Sequence, residues 1–147
     1  MRATPRFVIL LAEDEQADAH LAKVAFAENG IAVDLHHVLD GRFALEFLRR
    51  EGARFSELPR PDLIMLDLNM PRMNGLECLA AIKQDPALRD IPTVILTTSE
   101  VQRDVLASYE LGAAGFITKP LDVLKFMESI RQLGDYWINL VRLPRRG

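Results

Sequence analysis

Leu63-Ile64-Met65-Leu66-Asp67-Leu68-Asn69-Met70-Pro71 opens with four unbroken apolar residues, closes them with a carboxylate, and reaches a proline four residues later. A short continuous run of this kind reads as a β-strand covered on both faces, because a half-exposed strand would alternate. Two further runs share the pattern, Phe7–Ala12 before Glu13-Asp14 and Thr93–Leu96 before Thr97-Thr98-Ser99. Ile31–Val38 alternates through Ala32, Val33, Asp34, Leu35 and His36 and reads as a more exposed strand. Gly115–Ile117, before Thr118-Lys119-Pro120, is a fifth and shorter run.

Helical patterns fill the intervals. Ala17, Leu21, Val24 and Ala25 form a stripe ended by Asn29-Gly30. Asp40 is the expected N-cap of a helix whose stripe is Phe43, Ala44, Phe47 and Leu48, closed by Gly52. Leu76, Leu79, Ala80 and Ile82 mark a third helix, stopped near Asp85-Pro86. Ser99-Glu100-Val101-Gln102 fits a capping box, and that helix runs through Val105, Leu106 and Tyr109 to Gly112. A last helix begins after Pro120. Strand followed by helix, five times over, predicts an α/β fold: a five-stranded, doubly wound parallel sheet with helices on both faces. The longest connection, Gly52 to Pro61, contains Pro59 and reads as a surface loop.

The chain has 147 residues, 49% hydrophobic and 27% charged, which fits one domain with a full core and excludes intrinsic disorder. Its net charge of −3 gives a nucleic-acid-binding role no support. The one cysteine, Cys78, cannot form an internal disulfide and reads as a small core residue of the third helix. Phe7–Ala12 is too short to span a membrane and no signal-peptide cleavage site follows it, so a soluble cytoplasmic protein with no membrane partner is expected.

In open parallel sheets the working site lies at the carboxyl ends of the strands. Glu13, Asp14, Asp67, Thr97 and Lys119 all fall there, from four different strands. Gathered carboxylates are costly unless a cation joins them, and a hard divalent ion such as Mg2+ suits their oxygens. With an ammonium and a hydroxyl added, the set describes a receptacle for a phosphoryl group. Asp67, at its centre, is a natural nucleophile for an acyl phosphate.

Along almost its whole length the chain resembles the receiver domain of two-component response regulators. The matching residues are Glu13-Asp14, Asp67-Leu68-Asn69-Met70-Pro71 with Asn74-Gly75, Thr97, and Phe116 followed by Lys119-Pro120. The resemblance implies a flavodoxin-like (βα)5 fold, with residues 5–143 forming one receiver domain and no output domain. It implies that Asp67 is the phosphoacceptor, taking its phosphoryl group from a phosphohistidine on a sensor histidine kinase. Glu13, Asp14, Asp67 and the backbone carbonyl of Asn69 would hold Mg2+, Thr97 and Lys119 would contact the phosphoryl group, and Thr97 and Phe116 would form the switch. The Lys119–Pro120 bond matches a site usually cis in the family, and Gly75 a turn glycine valued for backbone freedom. Asn69 and Ser99 match positions that tune acyl-phosphate lifetime. Glu13 departs from the common Asp and lengthens that arm by one methylene. Such a protein is a switch rather than a turnover enzyme.

Val123, Phe126, Ile130, Leu133, Trp137 and Leu140 recur at spacings of 3, 4, 3, 4 and 3, a heptad-like seam. Its second half, with Tyr136, Trp137, Leu140 and Val141, is expected to run past the domain edge and form a homodimer. That extended end and the proline-bearing loop together resemble the small receiver proteins paired with bacterial phytochrome kinases.

Three other readings are weaker. A hydrolase of the haloacid-dehalogenase type needs a second carboxylate two residues after its nucleophile, where this chain has Asn69. A dinucleotide or flavin carrier needs a glycine-rich cradle, where this chain has Glu13-Asp14-Glu15. His20, His36 and His37 lack zinc-ligand spacing, and the last two face opposite sides of a strand. Arg142, Arg145 and Arg146 read as a solvated tail.

Overall fold

The order of elements is β1 (Phe7–Ala12), α1 (Gln16–Glu28), β2 (Val33–Val38), α2 (Gly41–Arg49), β3 (Leu63–Asp67), α3 (Gly75–Gln84), β4 (Thr93–Thr97) and β5 (Gly115–Thr118). These come from a computed structural model that describes residues 7–28, 30, 33–51, 59–68, 70–97, 110, 112–118, 124, 127–128 and 131–132, with the side chains of 97 and 116–118 outside that set. The five strands form one sheet in the order β2-β1-β3-β4-β5, every pair parallel. From β1 the chain turns outward to β2, then returns past β1 to β3. That reversal leaves a crevice at the carboxyl ends of β1 and β3, where doubly wound sheets place their ligands.

Alternate residues of the central strands feed two cores. Leu10, Ala12, Ile64, Leu66 and Ile95 pack under α2 and α3, while Ile9, Leu11, Leu63, Met65, Val94 and Leu96 pack under α1. All residues of β1 and β3 are buried and the edge strand β2 is half-buried, as continuous and alternating patterns respectively predict. Residues 110, 124, 127, 128, 131 and 132 are helical, and Met127 packs on the α1 face. The expected capping box at Ser99 and the Lys119–Pro120 bond lie outside the described residues.

Two helix details differ from expectation. The buried face of α1 is Ala19, Ala22, Ala25 and Phe26, whereas Ala17 is exposed and Leu21 and Val24 are half-buried. The helix is apolar on several sides, so periodicity alone could not choose, and close approach to the sheet selected the small residues. Helix α2 ends at Arg50 rather than at Gly52, because Arg50 adopts the left-handed conformation (φ 55°) and its N–H reaches the carbonyls of Glu46 and Phe47. The expected N-cap stands: Asp40 accepts from the Phe43 N–H.

Cys78 is fully buried in α3, as expected, and its thiol is pushed up to about 12 from an ordinary 9.0, first by burial and then by the charge of Asp40. The native thiol is expected to resist a disulfide reagent at pH 8 and to react only as fast as the chain opens. The unfolded thiol ionises above about pH 9 while the native one holds its proton, so folding stability falls between about pH 9 and about pH 12. Urea unfolding of Cys78→Ser, compared with wild type at pH 8 and 10, checks the sign: the alkaline loss is smaller in the variant.

Candidate functional site

Glu13 and Asp14 follow β1 directly and Asp67 is the last residue of β3. The register Ala12↔Leu66 sets the two strand ends side by side. One carboxylate oxygen from each of Glu13, Asp14 and Asp67 lies within 4.8 Å of the other two. Glu13 and Asp67 are 1% and 4% exposed, and Asp14 is the most open of the three. Carboxylates this close repel one another unless positive charge offsets them, so the arrangement suits a cation.

The surroundings fix these groups. The Glu13 N–H donates to the Val38 carbonyl at 3.0 Å, and the Glu13 carbonyl is 2.7 Å from Nε2 of His37. Glu13 Oε2 accepts from the Glu15 N–H at 3.3 Å. Beyond Asp67, the Leu68 N–H donates to the Leu96 carbonyl at 3.1 Å, and the Leu68 carbonyl accepts from the Gly75 N–H at 3.0 Å. Asn74 caps α3 in a full capping box with Glu77. The Asn-x-x-Glu spacing carries that signal in the sequence.

Gly75 corrects an expectation. Its backbone is not in the left-handed region, so conformational freedom is not its role. A Cβ there would stand 2.4 Å from the Asp67 carbonyl oxygen and 2.8 Å from the Leu68 Cα. Glycine is required because the start of α3 lies directly against the backbone of the acidic strand end.

Sequence reasoning also missed the contacts of Arg72. Its Nε and terminal nitrogen donate to Oδ2 of Asp40 at 2.9 and 2.7 Å, and its guanidinium lies 4.8 Å above the Phe43 ring. No short-range pattern flags a pair 32 positions apart.

The donor set fits a hard divalent ion. It is all carboxylate, without histidine or thiolate, and its three oxygens lie close enough together to share one ion. Two of the three histidines have other contacts: His36 Nε2 lies 3.0 Å from Asp34 and His37 meets the Glu13 carbonyl. The backbone of Thr97 ends β4 and pairs with Thr118, the residue before Lys119. Asn69, Lys119, Tyr136, Trp137, Leu140 and Val141, together with the Thr97 and Phe116 side chains, lie outside the described residues.

Residues 9–131 match the response regulator receiver domain family. The response regulator Rcp1 of Synechocystis sp. is 40% identical over 142 residues, covering 97% of this chain and 96% of that protein. Among solved structures, the phosphorylated cyanobacterial phytochrome response regulator RcpA superposes with a TM-score of 0.89 at 37% identity, over 96% of this chain and 100% of that one. The Mn2+-bound form of Rcp1 gives 0.87 at 40% identity, over 96% and 100%.

Proposed function

This chain belongs to the response regulator receiver family, and on that premise we propose that Asp67 accepts a phosphoryl group from a phosphohistidine of a sensor histidine kinase in the presence of Mg2+. The observation that carries the reading is the convergence of Glu13, Asp14 and Asp67 within 4.8 Å at the crevice of the parallel sheet. The hydrolase alternative finds no support among the relatives.

Glu13, Asp14 and Asp67, with the carbonyl of Asn69, would hold the ion. When bound, Mg2+ supplies positive charge that offsets the carboxylates and the phosphoryl oxygens. Asp67 approaches phosphorus through one carboxylate oxygen. As the new O–P bond forms, the P–N bond to the donor histidine breaks and its electron pair returns to the imidazole. The backbone bonds on Leu68 hold the nucleophile still, which matters because this chemistry depends mainly on positioning. Thr97 and Lys119 take the phosphoryl oxygens, and Thr97 with Phe116 relays the change.

Residues 5–143 then act as one receiver unit whose output is a protein contact rather than turnover of an external substrate. RcpA is named as a phytochrome response regulator, which favours a phytochrome kinase as the donor here. The homodimer through Tyr136, Trp137, Leu140 and Val141 belongs to the same reading, as do a cytoplasmic location and the absence of nucleic-acid partners. Among the described residues no helix is long and apolar enough to cross a membrane.

Incubation with acetyl phosphate and Mg2+, followed by intact-mass measurement and peptide mapping, is expected to show one phosphate, on Asp67, and none with EDTA. A phosphate mapped elsewhere, or no gain in mass, overturns the assignment. Sedimentation of the same samples as monomers at micromolar concentration removes the dimer.

A further inference from the structure

We infer that Arg72 is a positioning residue for the divalent-ion site, acting through a clasp on Asp40 that presses the β3–α3 connection against the backbone of Asp67. The inference rests on the functional reading above and adds to it a residue that touches neither ion nor phosphoryl group.

Arg72 is a non-glycine residue held in the left-handed region, φ 63°. Such a conformation persists only where surrounding contacts over-determine it. Here they do. Asp40 is 2% exposed, and its two oxygens are divided between two tasks: Oδ1 caps α2 by accepting from Phe43 N–H at 2.9 Å, and Oδ2 takes both Arg72 donors. Next to this pair the Gly41 N–H donates to the Met73 carbonyl at 3.2 Å. A Cβ on Gly41 would approach that carbonyl oxygen to 2.8 Å, so the two backbones touch. Residues 72 and 73 are therefore fastened to the start of α2 by an ion pair, a backbone hydrogen bond and the guanidinium on Phe43.

The other end of the same segment is Gly75, which abuts the Asp67 carbonyl and donates to Leu68. A segment pinned at 72–73 and wedged at 75 leaves the Asp67 end of β3 little room to move. The clasp lies on the α2 side of the sheet and reaches the Asp67 end of β3 through this backbone path. As a solvent-exposed turn with one ion pair, Arg72 would need neither its strained φ nor a nearly fully buried partner.

Arg72→Gly separates the two roles, because glycine relieves the left-handed strain while removing the clasp. Asp40→Asn keeps the cap acceptor but removes the charge that Arg72 grips. Mg2+ affinity by calorimetry, with no phosphodonor present, is expected to fall about tenfold in both variants, the low end for outer hydrogen-bond partners of a metal site. Arg72→Lys restores part of the loss, since an ammonium supplies charge without the planar fork. Phosphate incorporation at limiting Mg2+ slows in step and recovers at saturating Mg2+. Variants that bind Mg2+ as wild type does, whatever their urea midpoints, overturn the inference. Wild type that binds Mg2+ but gains no phosphate overturns the phosphoacceptor reading instead and leaves the affinity comparison valid.

Discussion

Replacing Asp67 with asparagine is expected to make the metal-free protein more stable, by about 1–2 kcal/mol, while removing its ability to take up phosphate. The side chain it replaces is 4% exposed and has two other carboxylates within 4.8 Å. Unit charges at that distance repel by about 3 kcal/mol at an effective dielectric near 20, and the amide keeps the shape while losing the charge. Part of the gain is offset by the contacts a charged Asp67 makes. In saturating Mg2+ the order reverses. An ion at about a hundred times its dissociation constant adds about 2.7 kcal/mol to the protein that binds it, and the variant, short of one ligand, gains much less. Urea unfolding in EDTA and in Mg2+, with intact mass after acetyl phosphate, reads all three effects. A metal-free variant less stable than wild type, or one equally stabilised by Mg2+, contradicts the cation-receptor account.

Gly75→Ala carries the second large effect. The added methyl group meets the Asp67–Leu68 backbone, at 2.4 Å from the Asp67 oxygen, 2.8 Å from the Leu68 Cα and 3.0 Å from the Asp67 carbonyl carbon, and backbone cannot swing aside as a side-chain tip can. Overpacking of this kind costs about 1–3 kcal/mol. Alanine's helix preference returns little, because the residue is the first of α3 and not in a helix interior. The displaced atoms belong to Asp67, so Mg2+ affinity should drop along with the urea midpoint. Loss of stability with unchanged Mg2+ affinity would show that the crowding is absorbed within α3 and never reaches the acidic strand end.

Much of this was legible in the sequence, for identifiable reasons. The β1 and β3 strands announce themselves because both faces are covered, which leaves unbroken apolar runs ending in acid. The alternation of β2 reflects its place at the sheet edge. Glu13, Asp14 and Asp67 could be grouped from the sequence alone because parallel strands deliver their carboxyl ends to one rim. The face of α1 was not legible, since an alanine-rich helix offers several apolar stripes and only the sheet decides among them. The end of α2 was missed because Arg50 occupies a conformation usually left to glycine. Arg72 was invisible for another reason: its importance lies in Asp40, on a different crossover, and nothing local to Arg72 distinguishes it from an ordinary surface cation.

The β1–β3 pairing also has a kinetic side. Glu13 and Asp67 are more than fifty positions apart, and the strands that bear them meet only after α1, β2 and α2 have been spanned. Closing so long a loop belongs to the slow, late part of folding. A nascent chain therefore cannot gather the three carboxylates proposed to hold the ion until β3 has docked beside β1. Contacts made after the rate-limiting step slow unfolding and leave refolding unchanged. Added Mg2+ should accordingly lengthen the lifetime of the native protein without hastening its formation, which ties competence for signalling to completed assembly of the sheet's centre.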